Sequence, residues 1–128
     1  MKKNIKKKWL KALRSGEYKQ TTGQLRADDH EGNASFCCLG VLCNLHAQAH
    51  PEIAAKETDP DTYLGSYGAL PLAVVQWAGL DKNVMDRDDD GELNIIVTYR
   101  RKETNLIKLN DDEGLSFNKI ANVIERCL

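Results

Sequence analysis

The stretch Ser35-Phe-Cys-Cys-Leu-Gly-Val-Leu-Cys-Asn-Leu45 is the most apolar run in the chain and holds three of its four cysteines. A run this apolar and free of charge has to be buried, so whatever the chain folds into is built around it. Ser35 is suited to cap a helix that begins near Phe36. Leu39, Leu42, Cys43 and His46 then share one face. Gly40 weakens such a helix by about 1 kcal/mol relative to alanine. A glycine there marks the close approach of another backbone. A β-strand over Phe36–Leu42 fits the same residues, because short apolar runs do not separate the two periods. Pro51 forbids a smooth continuation, so a helix ends near Ala49.

The core this run seeds belongs to one domain, since 128 residues is close to the commonest domain size. Apolar residues at 41% and charged residues at 29% exclude a disordered chain. A net charge of −1 excludes a global basic field of the kind that recruits nucleic acid or acidic lipid. The charge is unevenly placed. Lys2, Lys3, Lys6, Lys7, Lys8, Lys11 and Arg14 load the start, and Asp86, Asp88, Asp89, Asp90 and Glu92 form an acidic knot. No apolar run approaches the ~20 residues that span a bilayer. No signal-peptide core follows the first lysines, so a cytosolic chain with reduced cysteines is expected. Cys37 and Cys38 are adjacent, and vicinal disulfides are strained.

Residues 3–15 read as a helix with Ile5, Trp9, Leu10, Ala12 and Leu13 on one face and Gly16 beyond its end. Its lysines are either a solvated face or a patch for phosphate or another acidic partner. Tyr18 to Arg26 fits a short extended segment, and Asp28–Asn33 is a surface loop. Residues 51–70 are irregular, with a turn at Asp59-Pro-Asp61 and a short strand possible within Tyr63–Leu70. Pro71 opens a helix over Leu72–Ala78 that Gly79 closes, with Leu72 and Val75 facing one way. Asn83–Arg100 reads as a hairpin turning at Asp90-Gly91, with Leu93–Tyr99 as its second arm. Thr104 or Asn105 begins a helix over Leu106–Asn110, and Ser116 caps a last amphipathic helix over Phe117–Leu128.

Few groups of residues have the types and spacing that chemistry needs. Cys43, His46 and His50 fall on one helical face, and the two histidines have the spacing that lets imidazoles share a zinc ion. No glutamate stands beside His46 to make a metalloprotease motif. Asp28, Asp29, His30 and Glu31 are consecutive and do not point together. Asp86, Asp88 and Asp90, followed by Gly91, match the start of a calcium loop, but Val97 stands where its bidentate glutamate belongs. A Cys–His nucleophile is conceivable, though the apolar setting of Cys37, Cys38 and Cys43 argues for inert thiols. Leu106–Ile124 resembles the opening of a helix-turn-helix, but Asp111, Asp112 and Glu113 oppose phosphate approach.

Four stretches taken in order carry a resemblance: Trp9–Gln20, Phe36-Cys-Cys-Leu-Gly-Val-Leu-Cys43, Leu70–Leu80 and Leu109–Glu125. Together they resemble a family of small uncharacterised proteins encoded by bacteriophages and prophages. The Phe36–Cys43 segment is the most specific part. The resemblance implies an accessory role such as host takeover, defence evasion or regulation, in the cytoplasm of a bacterial host. It implies no catalytic residues, and its pattern does not include His46 and His50.

The expectation is therefore an α+β fold: a single small domain of about four helices packed with a small antiparallel sheet or hairpin. The leading function is a non-enzymatic binding module for a host protein or a small phosphorylated ligand. Gln24, Arg26, Tyr63, Tyr67, Arg100 and Arg101, with the N-terminal lysines, make up the candidate binding surface. Cys43, His46, His50, Asp86, Asp88 and Asp90 are the candidate ligands if zinc or calcium binds at all. A small metal- or thiol-dependent enzyme and a nucleic-acid-associated regulator are the alternatives; nucleic acid and membrane are not expected partners.

Overall fold

The computed structural model describes residues 1–29, 31–88 and 90–128, leaving out His30 and Asp89. Among the described residues it has six helices, four of them seven residues or longer, and two three-stranded sheets. The fold is mixed α and β. No helix among the described residues is long and apolar enough to cross a membrane.

Helix α1 (Lys3–Arg14) buries Ile5, Trp9 and Leu13, spaced four apart, and leaves its lysines outside. Gly16 just beyond it adopts φ +76°, as a residue ending a helix in the left-handed region does. Strands β1 (Lys19–Gln20), β2 (Arg26–Asp28) and β3 (Ala34–Phe36) form the first sheet in the order β1-β3-β2. Its β1–β3 pair is parallel and its β2–β3 pair antiparallel, so this small sheet is mixed and comes in addition to the antiparallel one expected.

The apolar run splits between both readings. Ser35 and Phe36 belong to β3, and α2 occupies Cys38–Ala49. Ser35 is not the cap. Cys37 is, with its Sγ accepting from the Gly40 N–H at 3.4 Å. Pairing with β1 and β2 holds Ser35 and Phe36 extended, which moves the helix start two residues on. From Cys38 to Cys43 every side chain of α2 is buried. The Trp9 indole N–H donates to the Cys38 carbonyl at 3.0 Å, pinning α1 to α2. Pro51 then opens a one-turn helix, α3 (Pro51–Ala54).

The segment 55–71 contains no strand, only the isolated bridge Tyr63–Ser66. In α4 (Leu72–Ala78) the buried face is Val74, Val75 and Ala78, and Leu72 is 57% exposed. Leu72 and Val75, expected to face one way, differ in burial, Leu72 being exposed and Val75 buried. Pro71 serves as N-cap with ψ 144° rather than as the first helical residue.

The expected hairpin is present as β4 (Met85–Arg87) and β5 (Leu93–Tyr99), with Asp86 paired to Asn94. A third strand, β6 (Lys102–Asn105), pairs with β5. Its sequence Lys-Glu-Thr-Asn is wholly polar and carries no strand signal. Arg100 and Arg101, at φ 50° and 66°, make the two-residue turn between β5 and β6. Such turns favour Asn-Gly, and side chains in this region cost about 1 kcal/mol each. Helix α5 (Leu106–Asp111) starts at Asn105, whose side chain accepts from the Lys108 N–H. Helix α6 (Phe117–Cys127) starts at Ser116, which accepts from Lys119 N–H. α6 closes the core against α1 and β5 with Phe117, Ile120, Ala121, Val123 and Ile124 buried.

Candidate functional site

Cys38 and Cys43 lie on α2 and Cys37 caps it, and all three are buried. Burial pushes the Cys37 thiol up to about 11 and lifts Cys38 and Cys43 well above the usual thiol range. At neutral pH all three are protonated, and a protonated thiol is a poor nucleophile and a poor metal ligand. All four cysteines are free, and Cys127, half-buried, donates to the Thr98 carbonyl at 3.6 Å.

The two helical histidines do share a face, but they are engaged with protein atoms. His46 Nδ1 lies 2.6 Å from the Tyr63 hydroxyl, and His50 Nδ1 lies 2.9 Å from the His46 carbonyl. The rings stack at 4.3 Å, and Trp77 meets both edge-on. Among the described residues, no three His, Cys, Asp or Glu side chains are placed to hold a metal ion.

His46 is 3% exposed, and its pKa lies below the usual histidine value, first through burial and then through the nearby His50. Because the folded value is the lower one, the unfolded chain binds more protons between the two values. The stability that neutral His46 contributes is therefore fully present above about pH 6.5, the unfolded histidine value. It falls as the pH drops below that. Urea unfolding at stepped pH should show the decline, and His46→Gln should flatten it.

The six residues expected to form one binding surface are spread over several. Arg26 and Tyr63 line one cleft of about 360 Å³ with Phe36, Asn44, Glu57 and Asp59. The Arg26 guanidinium is held by Asp28 at 3.2 Å and lies over the Phe36 ring. Gln24 and Tyr67 are not in that cleft. Tyr67 is 54% exposed, and its carbonyl accepts from Leu25 N–H. Arg100 stacks on Tyr99 at the β5–β6 turn, and Arg101 is exposed beside it. With two carboxylates facing one already paired guanidinium, the Arg26–Tyr63 cleft repels a phosphate.

A groove of about 460 Å³ between α1, α2 and α4 has the opposite balance. Lys8 and Lys11 stand on one wall, Leu45 and Gln48 on another, and Tyr18 and Trp77 supply aromatic surface. Glu17 is its one carboxylate among the described residues. Lys8 and Lys11 are exposed, and among the described residues neither pairs with a carboxylate; the two ion pairs found are Arg14–Glu125 and Arg26–Asp28. The lysines were legible in the sequence. Their aromatic neighbour Trp77, 66 residues beyond Lys11, was not.

The acidic knot forms the β4–β5 turn. Asp88 Oδ1 accepts from the N–H groups of Asp90 and Glu92, which folds the turn back on itself. Asp86 stands on β4 opposite Asn94. At Asp29 the carboxyl accepts from Asn33 and from the Glu31 N–H, which hold it below the usual range. His30 and Asp89, named with these two groups, lie outside the described residues.

No curated protein and no solved structure matches this chain. Residues 1–128 match the family described as Domain of unknown function (DUF8296), and the chain belongs to that family.

Proposed function

We propose that the protein is a phage- or prophage-type accessory protein that works in the cytoplasm of a bacterial host as a non-enzymatic binding module. Its ligand is a small phosphorylated molecule with an aromatic or apolar body, held in the α1–α2–α4 groove. The observation that carries this reading is the pair of unpaired ammonium groups, Lys8 and Lys11, beside Tyr18 and Trp77. Lysines three apart on a helix are neighbours and can grip one phosphate together. The aromatic surface supplies the apolar contact that a phosphate alone lacks. The raised thiols leave no activated cysteine nucleophile near it.

The test is a thermal-shift screen against nucleotides, sugar phosphates and inorganic phosphate. A ligand that binds the folded state alone raises the melting temperature. Hydrogen bonds to a charged group contribute about 1.5–3 kcal/mol each. Lys8→Glu with Lys11→Glu should therefore weaken binding at least a hundredfold, while Arg26→Ala leaves it unchanged. A flat screen sinks the small-ligand reading. The lysine face runs past the groove through Lys3 and Lys7, both exposed, and this favours an acidic host protein as the second reading.

A further inference from the structure

We propose that Asp86, Asp88 and the side-chain oxygen of Asn94 form a site for a calcium-type divalent cation on one face of the β4–β5 hairpin. Asn94 is 5% exposed, yet its Oδ1 is buried with no hydrogen-bond partner. Among the described residues it is the one buried side-chain oxygen or nitrogen in that state. Buried polar atoms are otherwise satisfied, and an orphan acceptor of this kind is accounted for by an ion or water that the protein holds there. Its Nδ2 reaches Asp88 Oδ2 at a long 3.4 Å, so the amide and that carboxylate already lie side by side.

Strand register supplies the rest. Asp86 is directly opposite Asn94, which places their side chains on the same face within reach of one ion. Asp88 lies just past the end of β4, and its contact with the Asn94 amide brings it to that face too. These three residues line a depression of about 460 Å³ with Arg87 between the aspartates, Ile96 and Ile107 as its apolar wall, and Lys108 and Asp112 on its far side. Among the described residues no third carboxylate, imidazole or thiol converges with the two aspartates, and the amide oxygen completes the set. All three donors are hard oxygens, which suit calcium and not zinc. The site is the Asp86–Asn94 segment read from the sequence with one ligand exchanged. Asp90, expected as the third, gives way to Asn94 because the segment folds as a hairpin and not as a helix-flanked loop.

Water fills the remaining coordination positions, and Arg87 and Lys108 oppose the charge, so affinity is low, in the range of about 0.1–1 mM seen for open protein calcium sites. Calcium and magnesium titrations of the full chain, followed residue by residue by NMR at constant ionic strength, test this. The expected result is saturable calcium-dependent shifts centred on residues 86–94, with magnesium weaker. Asp86→Asn, at an exposed position that leaves the fold intact, should weaken calcium at least tenfold, and Lys108→Met should tighten it. Three results would each overturn the proposal. One is the absence of saturation by about 10 mM, tenfold above the weakest such sites. Another is equal shifts at the acidic stretch 57–61, and the last is unchanged affinity in Asp86→Asn.

Discussion

Gly40→Ala is expected to cost more than about 3 kcal/mol, although alanine is the better helix former. A Cβ at position 40 would stand 1.8 Å from the Leu25 carbonyl oxygen and 2.7 Å from its carbon. Neither atom belongs to a flexible side chain that can swing away. The Leu25 backbone is fixed on both sides, since its N–H donates to Tyr67 and its carbonyl accepts from Cys37. Helix propensity returns about 1 kcal/mol for the substitution. The clash outweighs that gain, because relieving it separates α2 from the chain at Leu25 and opens the core at Leu39 and Cys43. Chemical denaturation of the variant checks this. An alanine variant as stable as the parent would show that the helix and the Leu25 segment are not in contact.

Asn110→Ala is the second large loss, about 3–4 kcal/mol from the several partners it strands. Asn110 is 1% exposed, and its amide is fully used. Oδ1 accepts from Gln20 Nε2 at 2.9 Å and from the Cys38 N–H at 3.2 Å. Nδ2 donates to the Thr21 carbonyl at 2.9 Å and to Asp111 at 2.8 Å. One side chain thus ties the β1 region, the first turn of α2 and α5 together. Truncation leaves the Cys38 amide buried and unpaired and takes the partner from the half-buried Thr21 carbonyl. Asn110→Asp should be no better at neutral pH, because it keeps the acceptor but turns a carboxylate oxygen on Thr21 and Asp111. A loss of under about 1 kcal/mol in urea unfolding, the size of an ordinary hydrogen bond, would mean that the hub is not formed.

These two residues mark what the sequence does and does not disclose. Gly40 was legible because glycine within an apolar helical run has few uses other than close backbone contact. Asn105 and Ser116 were legible as caps for the same reason, each a polar acceptor just before an apolar stripe. The Asp90-Gly91 turn announced the β4–β5 hairpin. Asn110 was read only as the end of a helix, since nothing local shows that Thr21 and Cys38 converge on it. Strands β1, β2 and β3 have two or three residues each, too few to show a period of two, and β6 is polar throughout. The candidate sites divide in the same way. Lys8, Lys11, Asp86 and Asp88 stand out by charge. Trp77 and Asn94 become their neighbours only through the packing of α4 and the register of β5.

The apolar run at 35–45 therefore acts as the frame: its thiols fill space, its glycine admits Leu25, and the helix it forms supplies one wall of the lysine groove. NMR mapping of whichever phosphorylated compound gives the largest thermal shift tests this account most directly. The account expects perturbations at Lys8, Lys11, Tyr18, Gln48 and the Trp77 indole, with the Arg26–Tyr63 cleft silent. Perturbations centred on Arg26 and Tyr63, with the groove unchanged, would contradict it.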